Sequence, residues 1–83
     1  MKAIIIMDSI HYILKAEKLL KKYGIKIDLI PVPKEVDSNC GNAIEIKNEE
    51  DLFKVNEILK NHKINFKVFK YNEELNFFVE IGG

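Results

Sequence analysis

Ala3-Ile4-Ile5-Ile6-Met7-Asp8-Ser9 is the stretch on which the fold turns. Its first five residues are an unbroken apolar run rich in β-branched side chains, which reads as a short strand buried on both faces and central in its sheet. Asp8 or Ser9 then offers a side-chain oxygen to the open N–H groups of a helix start. The chain therefore runs from strand straight into helix, the opening half of a β-α-β unit. Tyr12, Ile13, Ala16, Leu19, Leu20 and Tyr23 recur at three- and four-residue steps and predict one apolar stripe. Lys21 and Lys22 suit the negative end of that helix, and Gly24 suits the left-handed residue that stops it.

Further out, Ile25, Ile27 and Leu29 alternate with Lys26, Asp28 and Ile30, predicting a second strand that Pro31 ends. Ile44 and Ile46 alternate with Ala43, Glu45 and Lys47 as a third. Asn48 reads as the cap of a second helix with an acidic first turn, Glu49-Glu50-Asp51, and a buried face of Leu52, Val55, Ile58 and Leu59. Ile64, Phe66 and Val68 predict a fourth strand. A turn at Asn72-Glu73-Glu74 leads to Phe77, Val79 and Ile81 in a fifth, paired with the fourth as a hairpin. The order β-α-β-β-α-β plus a terminal strand predicts a ferredoxin-like α+β sandwich: an antiparallel sheet with two helices on one face and an added C-terminal strand. Ile4 or Ile6, Ile30, Phe69 and Phe78 then point away from the helices. An open face carrying them would suit a homodimer contact, and scattered exposed apolar residues are equally ordinary.

Composition bounds the function. Eighty-three residues make one domain, residues 1–83, and 47% hydrophobic content fits a globular chain. Formal charge is zero and every basic residue is lysine. Without arginine the chain lacks the planar fork that clamps phosphates and guanine edges, and without excess positive charge it does not read as a nucleic-acid binder. The lysines of the first helix read as a solvated face. One cysteine makes no internal disulfide, no apolar run is long enough to span a bilayer, and Met1-Lys2-Ala3-Ile4 lacks a signal-peptide layout. The expectation is a soluble cytoplasmic domain with no membrane association.

Candidate chemistry concentrates in Pro31-Val32-Pro33-Lys34-Glu35-Val36-Asp37-Ser38-Asn39-Cys40-Gly41, the loop between the second and third strands. Cys40 is the obvious nucleophile. Gly41 lets the backbone turn beside it and leaves the thiol accessible, while Ser38 and Asn39 bond loop backbone or present donors to a bound anion. A reactive thiolate needs nearby positive charge or a helix N-terminus. In the predicted topology the Asp8–His11 turn, this loop and the Asn61–Lys63 turn share one end of the domain, so His11, Lys34 and the helix start at Ser9 supply candidates. Cys40 reads with equal right as an inert loop thiol, and His11 as a solvent-facing helix residue. His62 reads as plain surface. No metal-ligand spacing, phosphate loop, Ser-His-Asp order or carboxylate pair appears, and no cofactor is implied.

The terminal Gly82-Gly83 is shared with ubiquitin-like sulfur carriers, but their β-grasp fold opens with a hairpin rather than a strand and helix. A different resemblance is carried by Met7-Asp8-Ser9-Ile10-His11, Leu14-Lys15-Ala16-Glu17-Lys18-Leu19-Leu20-Lys21, Gly24-Ile25, Leu29-Ile30-Pro31-Val32-Pro33-Lys34-Glu35 and Ser38-Asn39-Cys40-Gly41. Together these resemble the selenium/sulfur carrier-like family of small prokaryotic proteins, over residues 1 to about 60. The most specific part is the Pro-x-Pro-basic loop leading to Ser-x-Cys-Gly with a histidine upstream. The resemblance implies that Cys40 is the atom-carrying thiol, with His11, Lys34 and Gly41 at matching positions. It also implies a sulfur or selenium donor enzyme and an acceptor protein as partners. Lys34 stands where the family usually has arginine, which removes bidentate anion binding. The tail after Phe69 extends past the family's usual end as an added edge strand. The other class of function the sequence supports is a non-catalytic binding or regulatory module on the same sandwich.

Overall fold

The computed structural model describes residues 3–36 and 40–82. The elements run β1 (Ala3–Ile6), α1 (Ile10–Lys22), β2 (Ile27–Pro31), β3 (Asn42–Ile46), a 3-10 turn (Glu49–Asp51), α2 (Leu52–Asn61), β4 (Lys67–Asn72) and β5 (Phe77–Gly82). The five strands form one sheet in the order β2-β3-β1-β4-β5, every neighbouring pair antiparallel. This is the ferredoxin-like arrangement with β5 added beyond β4, and it excludes a β-grasp. β1 is central and buried along its whole length, as an apolar run without polar alternation requires.

The two faces of β1 enter two different cores. Ile5 and Met7 join Ile13, Ala16 and Leu20 of α1, Val55, Ile58 and Leu59 of α2, and Ile44, Ile46 and Val68 of the sheet. Ile4 and Ile6 face the other way and cluster with Ala43, Phe78 and Val36, flanked by Ile30, Val32, Phe69 and Tyr71. The face opposite the helices is therefore partly covered. Val32 and Val36, from the segment after β2, pack with these apolar residues.

Both helices end in the same way. After α1, Gly24 adopts φ +77°, its N–H donates to the Lys21 carbonyl at 3.0 Å, and the Ile25 N–H donates to the Leu20 carbonyl at 3.1 Å. After α2, Lys63 takes the left-handed conformation (φ +57°), donating to Lys60, while Ile64 donates to Leu59, both at 3.0 Å. Each is a Schellman stop that satisfies carbonyls the helix leaves open.

Several expectations shift in register. The buried stripe of α1 is narrower than predicted: Tyr12 and Tyr23 are 45% and 53% exposed at its flanks. Ile64 and Phe66 are buried but precede β4, because Ile6, the last residue of β1, pairs with Lys67 and leaves nothing for 64–66 to pair with. Pro31 ends β2 as predicted, as its last paired residue, tolerated because β2 is an edge strand. Asn48 makes no side-chain cap, and the acidic residues form the 3-10 turn ahead of α2, where Glu49 pairs with Lys70 at 2.6 Å. In β5 the buried residue is Phe78, not Phe77 or Ile81, since this strand faces the second core rather than the helices.

Candidate functional site

Strand register places three of the connections at one end. Ile6 closes β1 opposite Lys67, which opens β4, and Pro31 closes β2 opposite Asn42, which opens β3. The Met7–Ser9 link into α1, the β2–β3 connection and the turn after α2 consequently lie at the same end of the sheet. There Ser9 caps α1: it is extended (φ −150°, ψ 158°) and its Oγ accepts the Tyr12 N–H at 3.4 Å. Of the two predicted caps, Ser9 is the one used, and it is half-buried. Lys34 and Glu35 occupy the corner of a β-turn closed by the Val36 N–H to the Pro33 carbonyl at 3.0 Å. The Val32 N–H donates to the Gly41 carbonyl at 3.1 Å, extending the β2–β3 pairing past Pro31.

Cys40 does not sit as the glycine beside it suggested. It is 4% exposed and belongs to the helix-side core, the cluster that also holds Met7 and Ile13. The parity of β3 accounts for this. Ile44 and Ile46 face the helices while Ala43 faces away, and Cys40, an even number of residues before Ile44, returns to the helix side. Gly41, the exposed position, leaves its neighbour's sulfur turned inward. His11 and Lys34 are exposed, and among the described residues neither side chain makes a hydrogen bond or ion pair. The His11 ring meets Tyr12 edge-on, with centroids 5.8 Å apart. Ser38 and Asn39, the remaining predicted donors, lie outside the described residues, as does Gly83. His62 is exposed at the end of α2, as read.

The arrangement thus brings a buried thiol, a capped helix N-terminus and an imidazole on α1's first turn to one end of the molecule, while Lys34 stands at a turn corner whose other residue, Glu35, reaches across to Phe78 of β5. The electrostatic feature that stands out lies at the other end. Lys47, just past β3, bonds Asp28 at 2.6 Å and Glu45 at 3.3 Å, and these two carboxylates raise its pKa above 10.5. Hollows of about 610 Å³ beside the β4–β5 turn and about 260 Å³ between α2 and β5 are lined by neither Cys40, His11 nor Lys34. Among the described residues, no three His, Cys, Asp or Glu side chains group as metal ligands. No described helix is long and apolar enough to cross a membrane.

Sequence reasoning passed over two residues of the loop. Val36 is buried in the second core, and the Glu35 carboxylate accepts the backbone N–H of Phe78 in β5 at 3.2 Å. The available signal was Val36 itself, an apolar residue alone in the polar run from Lys34 to Asn39.

No curated protein and no solved structure matches the chain. Residues 2–70 match the family described as Putative Se/S carrier protein-like, a span that takes in β1 through most of β4 and the whole cysteine loop. On that match, covering most of its length, the chain belongs to the Se/S carrier protein-like family.

Proposed function

We propose that the protein carries sulfur or selenium on Cys40. The observation that carries this reading is the family match across the loop in which Cys40 stands. In the transfer, the Cys40 thiolate attacks the terminal sulfur of a donor enzyme's persulfide. The donor's S–S bond breaks, its thiolate leaves, and Cys40 holds the persulfide, with no net oxidation. A selenium atom in the terminal position follows the same displacement. The reverse attack by an acceptor thiolate unloads it. Lys34 stabilises the anion as a point charge, the α1 N-terminus capped by Ser9 adds its partial positive charge, His11 relays the proton, and Gly41 keeps the approach free of a side chain.

Burial of Cys40 favours a second reading, a binding module whose thiol is part of the core. One experiment separates them: incubation with a cysteine desulfurase and labelled cysteine, read by intact mass. The carrier gains the mass of one sulfur on the wild type and not on Cys40→Ser. No gain on the wild type, or equal gain on the variant, leaves the binding module.

A further inference from the structure

The sheet has two edges, β2 and β5, and they are finished differently. β2 closes on Pro31, which blunts that edge. β5, Phe77-Phe78-Val79-Glu80-Ile81-Gly82, has no proline and a single charge. The Phe78 N–H goes to the Glu35 carboxylate, so it points away from β4. By the alternation of an antiparallel ladder, Phe78 and Glu80 both turn their backbone groups to the open side. β5 also lies beyond the reach of the helices, for the helix-side core contains none of its residues. With Phe78 in the second core, Phe77, Val79 and Ile81 face the helix side. There Phe77 and Ile81 are exposed, and Ile81 has no partner in the register with β4. Phe53 of α2, which lines a hollow together with Ile81, is 73% exposed.

We propose that the open edge of β5 pairs antiparallel with β5 of a second copy of the chain, about a two-fold axis through Val79. A two-fold sets residues of one face opposite each other, and this limits the register. With Val79 on the axis, Phe77 lies across from the partner's Ile81, Phe78 from the partner's Glu80, and Val79 from the partner's Val79. Each exposed apolar residue of the strand gains an apolar neighbour. An axis at Glu80 would set two carboxylates face to face, and an axis at Phe78 would leave Ile81 beside the partner's turn. The partner's Glu80 carbonyl takes the place at the Phe78 N–H that Glu35 fills in the single chain. Charge supports the same orientation. β5 finishes with Gly82 opposite Val68, at the end of the sheet where Lys67 opens β4 and Lys60 lines the hollow beside Gly82. The two-fold carries the Glu73-Glu74 turn of each copy to that lysine-bearing end of the other, acid against base. On the helix side the paired strands make a floor between the two α2 helices, and Phe53 stands over it from either side.

The test does not depend on sulfur transfer. Sedimentation equilibrium on the full chain over a concentration series is expected to show monomer passing to dimer. Val79→Lys sets two ammonium groups against each other on the axis and should weaken the dimer at least about tenfold, with the far-UV circular dichroism of the folded chain unchanged. Crosslinking reads the register. In a Cys40→Ser background, Val79→Cys should form a disulfide between copies under mild oxidation, because paired residues on the axis stand about 4.5 Å apart at Cα. Phe77→Cys should not, since its two copies stand roughly 14 Å apart along the strands. A wild type that stays monomeric at every concentration overturns the proposal and leaves the edge to a strand of another protein. A dimer that Val79→Lys leaves intact, or equal crosslinking at positions 77 and 79, overturns it as well.

Discussion

Cys40 shows how one residue's direction decides its chemistry. Gly41 beside it is exposed, yet the pleat turns the sulfur into the helix-side core. Sequence position alone does not reveal that parity, because it depends on where pairing with β2 resumes after the loop. At the other end of the sheet, Lys47 offers a test of a single ionisable group. Its bonds to Asp28 and then Glu45 raise its pKa above 10.5, so they stabilise the folded protein fully below that pH and are lost as pH climbs through the raised value. Lys47 and Asp28, the closer pair, are both well exposed, so the effect is small and salt-sensitive. Lys47→Met is expected to lower the thermal midpoint by a constant, small amount between about pH 6 and 9, and the difference from wild type should vanish above the raised pKa. A difference that instead grows through that alkaline range would contradict the assignment.

At the scale of elements, the two helix stops differ in the residue that takes the left-handed turn, and that difference is measurable. Gly24 accepts φ +77° without a Cβ penalty, whereas Lys63 holds φ +57° against one. Lys63→Gly should stabilise the protein by about 1 kcal/mol in urea unfolding, and Gly24→Ala should cost about 1 kcal/mol. A Cβ built on Gly24 meets nothing within 4 Å, so the second cost is conformational rather than steric. These elements were the legible part of the fold. The unbroken β1 run, the stripe of α1 and Gly24 each announce themselves by local chemistry. Ile64 and Phe66 misled for a physical reason: period-two burial looks alike whether extended chain is paired in a ladder or merely packed under a helix. Asn48 misled likewise, since a capping residue type does not dictate which turn type follows it. The candidate loop was legible as a loop, and the family match bears out the resemblance read from it. Its attachment to Phe78, more than forty residues away, leaves no local trace.

For the whole molecule, the second core is what distinguishes this sandwich from a sheet with one dry face and one wet one. Val36 of the loop and Phe78 of β5 cluster with Ile4, Ile6 and Ala43, and the Glu35 carboxylate accepts the Phe78 N–H. The placement of β1 has a kinetic consequence of its own. Both β2–β3 and β4–β5 join neighbours in the chain, so each can assemble by closing a short stretch. β1 has no such neighbour: Ile4 meets Glu45 on one side and Phe69 on the other. The N-terminal strand must therefore wait for two separately built ribbons and slot between them, its entropy of closure paid last. Ile4→Val and Ile5→Val should accordingly speed unfolding and leave the refolding rate almost untouched, whereas conservative changes within the ribbons slow refolding. Of the five strands, the one that comes first along the chain is, by this geometry, the final piece to find its place.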